Sequence, residues 1–229
     1  MSKAINQKSV VGPKASEILR SPPLWLKNAL QGLAFWIGHR CSIYSGWELS
    51  EGALVGELCN LIHAHLGDDY SLRCEQSYTK FFAAGEKPTA IAAKARVDLS
   101  VWKSRLISDG RRRSVPTFAL EVKRAKSQTE RIKDDLKRLA AIVEKSAGIR
   151  AILCVISEAH LPKTFVTARG FRKVGVFPIE GTDCSYQVIG VLKASPYLSS
   201  KNIDRAHYCC AVEVLSNEEI CEGNLDLES

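Results

Sequence analysis

Two segments, ARVDLSVWK (95–103) and TFALEVKRA (117–125), decide the fold of this chain. Both alternate apolar with polar residues, which is the pattern of a β-strand whose successive side chains point to opposite faces of a sheet. On two neighbouring strands, Asp98, Glu121 and Lys123 fall on the face opposite the apolar residues. The sequence therefore predicts a hairpin with one apolar face and one face that carries two carboxylates and an ammonium group.

These three charged residues suit chemistry on a phosphate. Two acids can hold a hard divalent cation through oxygen, and a lysine can stabilise negative charge that develops on an attacked phosphate. An acid followed two residues later by a lysine is common, however, and alone it indicates no more than a solvated ion pair on an exposed strand. The neighbouring elements decide between the two interpretations.

The elements around the hairpin follow a definite order. Apolar residues at helical spacing predict a helix over 49–66, and a strand follows over 71–79. After the hairpin, SQTE (127–130) is a capping-box sequence that predicts a helix start, and the apolar run 151–156 predicts a buried central strand. Three further strand-like runs lie at 174–179, 186–193 and 207–215. The predicted order is α-β-β-β-α-β, with more strands after it.

This order and the D…ExK spacing resemble the PD-(D/E)XK nuclease superfamily, the restriction-endonuclease-like phosphodiesterases. The resemblance covers about residues 49–157, and Val97 stands where the name of the superfamily has proline. It implies an α/β fold with a restriction-endonuclease-like core, in which helices flank a central mixed sheet of about five strands. It also implies metal-dependent hydrolysis of phosphodiester bonds.

The resemblance assigns roles to the three charged residues. Asp98 and Glu121 would ligate one or two Mg²⁺ ions, for which Mn²⁺ could substitute, and the metal would activate a water. Lys123 would orient that water or neutralise charge on the phosphoryl oxygens. All three are therefore candidate catalytic residues.

A fourth acid is expected from the helix over 49–66, because members of the superfamily often add a glutamate there. Glu57 lies on the shoulder of the apolar stripe of this helix and is our choice as a catalytic and metal-binding residue. Two competitors stay open. They are Glu51, which could merely favour the helix N-terminus, and Glu75 in the first strand.

The basic character of the chain favours a polyanionic partner. The net charge is +7 and the isoelectric point is about 9.0, which favours nucleic acid without indicating any chemistry. Arg111, Arg112 and Arg113 at the hairpin tip are candidates for gripping phosphates, although a solvated turn would look the same. Arg124 and Lys126 continue the basic character past the second strand and favour a surface that grips a nucleic-acid backbone.

The chain divides into three parts by sequence. Residues 1–48 form an N-terminal helical extension whose helix is predicted to end at Gly38. Residues 49–215 form the nuclease-like domain. Residues 216–229 form an acidic tail with five acids and no lysine or arginine, a composition that favours a solvated segment.

The composition also favours a cytoplasmic protein. Eight cysteines are scattered without a CxxC pair, so a reducing compartment fits better than a disulfide framework. The apolar stretch 24–37 contains Lys27, Asn28 and Gln31 and is too short and too polar to span a bilayer. We therefore expect no membrane partner.

These observations together predict a Mg²⁺-dependent deoxyribonuclease, an endonuclease that acts on double-stranded DNA in restriction, anti-phage defence, recombination or repair. Cutting both strands usually needs two sites, so a homodimer or a partner protein in a larger complex is expected. Three alternatives stay open. They are an RNA-directed or partner-activated nuclease of the same fold, a non-catalytic nucleic-acid-binding subunit, and a basic interaction protein whose D…ExK spacing is coincidental.

Overall fold

The computed structural model of the protein describes residues 20–43, 48–82, 91, 94–106, 110–126, 129–146, 148–194 and 205–220. Its helices are α1 (Leu24–Ile43), α2 (Glu51–His65) and α3 (Thr129–Lys145), with a short 3₁₀-helix over Tyr78–Phe81. Its strands are β1 (Tyr70–Ser77), β2 (Arg96–Leu106), β3 (Arg112–Arg124), β4 (Arg150–Ser157), β5 (Val176–Pro178), β6 (Cys184–Ala194) and β7 (His207–Ser216).

The seven described strands form one mixed sheet in the spatial order β1-β2-β3-β4-β7-β6-β5. β3 and β4 are parallel and are connected through α3, whereas the other neighbouring pairs are antiparallel. The predicted α/β class with a mixed sheet is confirmed, and α2-β1-β2-β3-α3-β4 follow each other in the predicted order. The predicted size of about five strands is too small, because β5, β6 and β7 extend the sheet beyond β4.

Hydrophobic clusters cover both faces of this sheet. Leu99, Leu120 and Val122 are buried against α1 and α2 in one cluster, while Ala119 of β3 belongs to the opposite cluster, which includes the buried side of α3. Glu121 of β3 is only 2 % exposed. The predicted chemical face of the hairpin is therefore not a purely polar one, because α3 packs onto it.

The predicted N-terminal helix belongs to the same core as the sheet. α1 packs against α2, β6 and β7, and its residues Leu26 and Leu30 are fully buried. The helix continues to Ile43 rather than ending at Gly38. A Cβ atom at Gly38 would lie 3.5 Å from Cδ2 of His207, an ordinary van der Waals contact, so Gly38 lies within the helix and packs on β7.

The start of α2 and the 3₁₀-helix place side chains next to the hairpin. Ser50 Oγ accepts a hydrogen bond from the main-chain nitrogen of Ala53 at 3.2 Å, which caps α2 and sets Glu51 in its first turn. β1 ends at Ser77, two residues before its predicted end, because the 3₁₀-helix begins at Tyr78. Both Glu51 and Tyr78 reach residues of β3.

Several predictions fall partly outside the described residues. Outside the described part of the chain lie residues 1–19 and 44–47 of the predicted extension, 127–128 of the capping box and 221–229 of the acidic tail. Within the described ranges, none of the helices is long and apolar enough to cross a membrane. The seven cysteines placed there are free thiols, and Cys154 in the apolar run of β4 is buried as expected.

Candidate active site

Strands β2 and β3 stop pairing next to Asp98. The antiparallel ladder between them ends at Leu99. Beyond it, Asp98 Oδ2 accepts a hydrogen bond of 2.7 Å from the main-chain nitrogen of Val122. Val122 lies between Glu121 and Lys123 in the chain, so this bond sets the Asp98 carboxylate beside both predicted partners. The structure therefore brings the three residues of the D…ExK spacing together.

Glu121 lies deepest in this group. Its Oε1 atom accepts a hydrogen bond from the hydroxyl of Tyr78, and Nε of Arg138 on α3 lies 3.9 Å from the same oxygen. Burial, together with the negative charge of Asp98, raises the pKa of Glu121 to about 9. The carboxyl group therefore holds a proton at neutral pH, and a divalent cation bound between the two acids would displace that proton.

A third acid reaches the group from α3. Asp135 is 1 % exposed, forms an ion pair with Arg138, and places Oδ2 at 3.4 Å from Nζ of Lys123. Sequence reasoning missed Asp135 and Arg138. A signal was present, because Asp135 lies between Ile132 and Leu139 within the apolar stripe of the helix, where a charged residue needs a buried partner.

Lys123 is held between acids from two helices. Its Nζ atom lies 2.8 Å from Oε1 of Glu51 in the first turn of α2. The same atom lies 3.4 Å from Oδ2 of Asp135 on α3. Burial alone would lower the pKa of Lys123, but the hydrogen bond with Glu51 and the charge of Asp135 outweigh burial and leave this pKa raised. The ammonium group is therefore charged, and two carboxylates fix its position.

The acid of α2 that contacts Lys123 is Glu51. Glu57 lies six residues further along α2, which is about 9 Å along the axis and about 240° around it. Among the described residues, no hydrogen bond or ion pair joins Glu57 to another side chain. Glu75 is exposed on β1, and its main-chain oxygen accepts a hydrogen bond from Arg96 at 2.9 Å. Of the three acids considered, the structure brings only Glu51 to Lys123 within its described part.

Arg124 and Lys126 lie directly beyond Lys123, and both are paired with one acid. Nη2 of Arg124 lies 2.7 Å from Oε2 of Glu48, and Lys126 pairs with Oε1 of the same residue. Glu48 precedes α2 by three residues. A residue just before α2 therefore pairs with the basic residues that follow the motif, a relationship that sequence spacing does not reveal.

The arginine triplet lies at the other end of β3. Arg111 precedes the strand, Arg112 and Arg113 begin it, and all three are exposed. Nine residues separate Arg112 from Glu121, which is about 30 Å at the rise of a β-strand. The structure therefore does not bring this triplet to the acidic group, and a nucleic acid would have to span that distance to contact both.

Asp98 and Glu121 are the two acids that would hold the expected Mg²⁺ ion, although Glu121 is buried and hydrogen-bonded to Tyr78. Asp98 and Glu121 offer carboxylate oxygens from adjacent strands, and Mg²⁺ usually takes one or two carboxylates together with waters and phosphate oxygens. Across the described ranges, no group of three or more His, Cys, Asp or Glu side chains is arranged to hold a metal ion.

No protein-family model, curated protein or solved structure matches this chain. The resemblance to the PD-(D/E)XK superfamily therefore rests on the D…ExK spacing and on the order of elements within this chain. Any function has to be argued from the geometry of the site itself.

Proposed function

We propose that this protein is a Mg²⁺-dependent nuclease, an endonuclease that hydrolyses phosphodiester bonds of DNA. The observation that carries this proposal is the hydrogen bond from the main-chain nitrogen of Val122 to Asp98 Oδ2. It holds one carboxylate beside Glu121 and Lys123 at the point where two strands separate. Two acids and an ammonium group in this arrangement serve metal-assisted chemistry on phosphate.

Each member of the group has a distinct task in this reaction. Mg²⁺ held by Asp98 and Glu121, or Mn²⁺ in its place, would polarise the scissile phosphate and lower the pKa of a water. Lys123 donates hydrogen bonds to the phosphoryl oxygens and neutralises the negative charge that develops on them. Glu51 and Asp135 already hold the ammonium group in position, so it needs little reorganisation during the reaction.

Tyr78 and Arg138 both contact the carboxyl group of Glu121 and position it. The tyrosine hydroxyl donates to Oε1, and the guanidinium group lies beside the same oxygen. Such supporting contacts orient an acidic ligand before its cation arrives. We assign both residues a positioning role in the proposed reaction.

Charge supports nucleic acid as the substrate. The net charge of +7 and the basic residues Arg124 and Lys126 beside the acidic group favour a polyanion. We propose double-stranded DNA as the substrate and restriction, anti-phage defence, recombination or repair as the setting, with a homodimer to cut both strands.

A cleavage assay tests the proposal. Plasmid DNA, single-stranded DNA and RNA are incubated with the wild-type protein in Mg²⁺, Mn²⁺ or EDTA, and the products are resolved on gels. We expect cleavage of plasmid with either cation, none in EDTA, and loss of cleavage in Asp98→Asn. Asp134→Asn, an exposed change of the same kind on α3, is the matched control and should cleave normally. Cleavage by Asp98→Asn at the wild-type rate would refute the proposal.

A non-catalytic nucleic-acid-binding subunit is the second candidate, and the burial of Glu121 favours it. A carboxyl group that is 2 % exposed and hydrogen-bonded to Tyr78 is shielded from an incoming metal ion. This candidate predicts that DNA binds with equal affinity in Mg²⁺ and in EDTA, and that no substrate is cleaved with either cation.

A further inference from the structure

The end of β3 presents two cations that share one carboxylate. Arg124 and Lys126 follow Lys123 and contact the two different oxygens of Glu48, one of them at 2.7 Å. A guanidinium and an ammonium group on two oxygens of one anion is also the arrangement that binds a phosphate. The carboxylate thus occupies the position that a phosphate would take.

We propose that Arg124 and Lys126 form a phosphate-binding site for the nucleic-acid backbone, and that Glu48 fills it as a competing carboxylate until substrate displaces it. This inference rests on the proposed function, because it takes a nucleic acid as the ligand. It adds a defined subsite and a residue of the chain that opposes binding there.

Arg124 stays in position when Glu48 leaves. Its Nη2 atom also lies 3.3 Å from Oε1 of Glu158, a carboxylate that is 7 % exposed. Oε2 of Glu158 accepts a hydrogen bond from the main-chain nitrogen of Leu49 at 3.2 Å. The guanidinium group is thus anchored from the protein side by a buried acid, and the site is formed before a phosphate arrives.

The side chain of Glu48 is exposed enough for a phosphate to displace it. Its side chain is 47 % exposed and that of Lys126 is 48 % exposed, so the pair is open to solvent and to a ligand. Exposed ion pairs contribute little stability and are screened by salt.

Hydrogen bonds from Lys126 and Arg124 lower the pKa of Glu48 to about 2. Glu48 is therefore anionic at neutral pH and competes with phosphate. Ser50 caps α2 independently, so the Glu48 side chain can swing away without unwinding the helix.

The location suits a phosphate near the scissile bond. Arg124 is three residues from Glu121 along β3, which is about 10 Å at the rise of a strand. By strand alternation its side chain leaves the face opposite to Glu121. The subsite would therefore hold a backbone phosphate at the end of β3 that also carries the acidic group.

Binding of a labelled DNA duplex in EDTA tests this inference without requiring cleavage. Glu48→Gln should tighten binding several-fold at about 50 mM salt, and the gain should shrink at about 200 mM salt, where charge effects are screened. Asp68→Asn removes the same charge from an exposed turn and should leave the affinity within about twofold of wild type. Lys126→Ser should weaken DNA binding. When Glu48→Gln is added to Lys126→Ser, it should no longer tighten binding.

Two outcomes would overturn the inference. One is equal affinity of wild type and Glu48→Gln at low salt, and the other is the same gain in Asp68→Asn, which would make the effect one of net charge. Glu48→Ala serves as a second variant if Glu48→Gln fails to give a cooperative thermal transition. A gain in binding without any cleavage in Mg²⁺ would support the phosphate site and refute the nuclease, so the two proposals fail separately.

Discussion

The ammonium group of Lys123 lies 2.8 Å from Oε1 of Glu51, a residue 72 positions earlier in the chain. The contact joins the first turn of α2 to the end of β3. Asp135 approaches the same ammonium group at 3.4 Å from α3, so the lysine of the D…ExK spacing is held from two helices. These side chains thus form a network that joins α2, α3 and β3 and not a row of residues on an exposed strand.

Glu121 is expected to matter for stability as well as for activity. Glu121→Ala would leave the buried Tyr78 hydroxyl without its acceptor and would remove one of the two acids beside Arg138. We expect a loss of about 1–3 kcal/mol in the free energy of unfolding. Glu121→Gln keeps the shape and an acceptor for Tyr78, so it should unfold close to wild type while losing cleavage. Urea denaturation and the plasmid assay measure the two effects. Equal unfolding free energies for Glu121→Ala and wild type would show that the network contributes no stability.

The raised pKa of Glu121 predicts a specific dependence of stability on pH. The pKa is about 9 in the folded protein against an ordinary value of 4.5, so between these values the folded state binds a proton that the unfolded chain has released. The free energy of unfolding should therefore fall as pH rises through this window. Glu121→Gln cannot titrate and should show a flatter profile in urea denaturation between about pH 5 and pH 9. Parallel profiles for the two proteins would contradict the assignment.

Glu51 should contribute more than Glu57 to cleavage. Glu51→Gln weakens the contact that fixes Lys123, and we expect cleavage to fall about tenfold, by analogy with other supporting contacts. Glu57→Gln is the matched change on the same helix and should have a smaller effect than Glu51→Gln. Initial rates at saturating Mg²⁺ compare the two variants. A larger loss of cleavage rate in Glu57→Gln than in Glu51→Gln would mean that Glu57 is the acid of α2 that assists cleavage.

Asp135 is expected to act as a positioning residue. Asp135→Asn removes a charge that holds both Lys123 and Arg138, so cleavage should fall. The charge of Asp135 helps to raise the pKa of Lys123, so this pKa should fall in the variant and the pH profile of cleavage should shift with it. Asp134→Asn changes the exposed neighbouring acid and provides the control. If both variants keep the wild-type rate and pH profile, the α3 acid has only a packing role.

The arginine triplet should affect affinity and leave chemistry unchanged. Replacing Arg111, Arg112 and Arg113 with serine removes charges about 30 Å from Glu121, so DNA binding should weaken while the single-turnover rate at saturating protein stays the same. Each lost phosphate contact should lower the slope of log affinity against log salt by about one. Arg169→Ser, in an exposed loop, is the control. An unchanged slope would make the triplet a solvated turn.

Local patterns predicted most of the elements and the shared face of Glu121 and Lys123. Period-two alternation predicts β2 and β3, and a strand has only two faces, so Glu121 and Lys123 must share one of them. Asp98 lies just beyond the paired part of the hairpin, so a hydrogen bond from Val122, and not strand pairing, sets its place. The helical stripes predicted α2 and α3 for the same reason, since 3.6 residues per turn is a property of the backbone.

Tertiary packing decided the rest of the site. Tyr78 lies in the 3₁₀-helix, Asp135 in α3 and Glu48 just before α2. No spacing along the chain indicates that they converge on β3. Glu51 and Glu57 belong to one helix, yet only the way its first turn abuts the sheet selects between them. The sequence by itself determined which backbone segments form strands and helices, because those preferences depend on near neighbours. Which charged groups face each other was determined only when the helices packed on the sheet, since buried charges are positioned by partners that are distant in the chain.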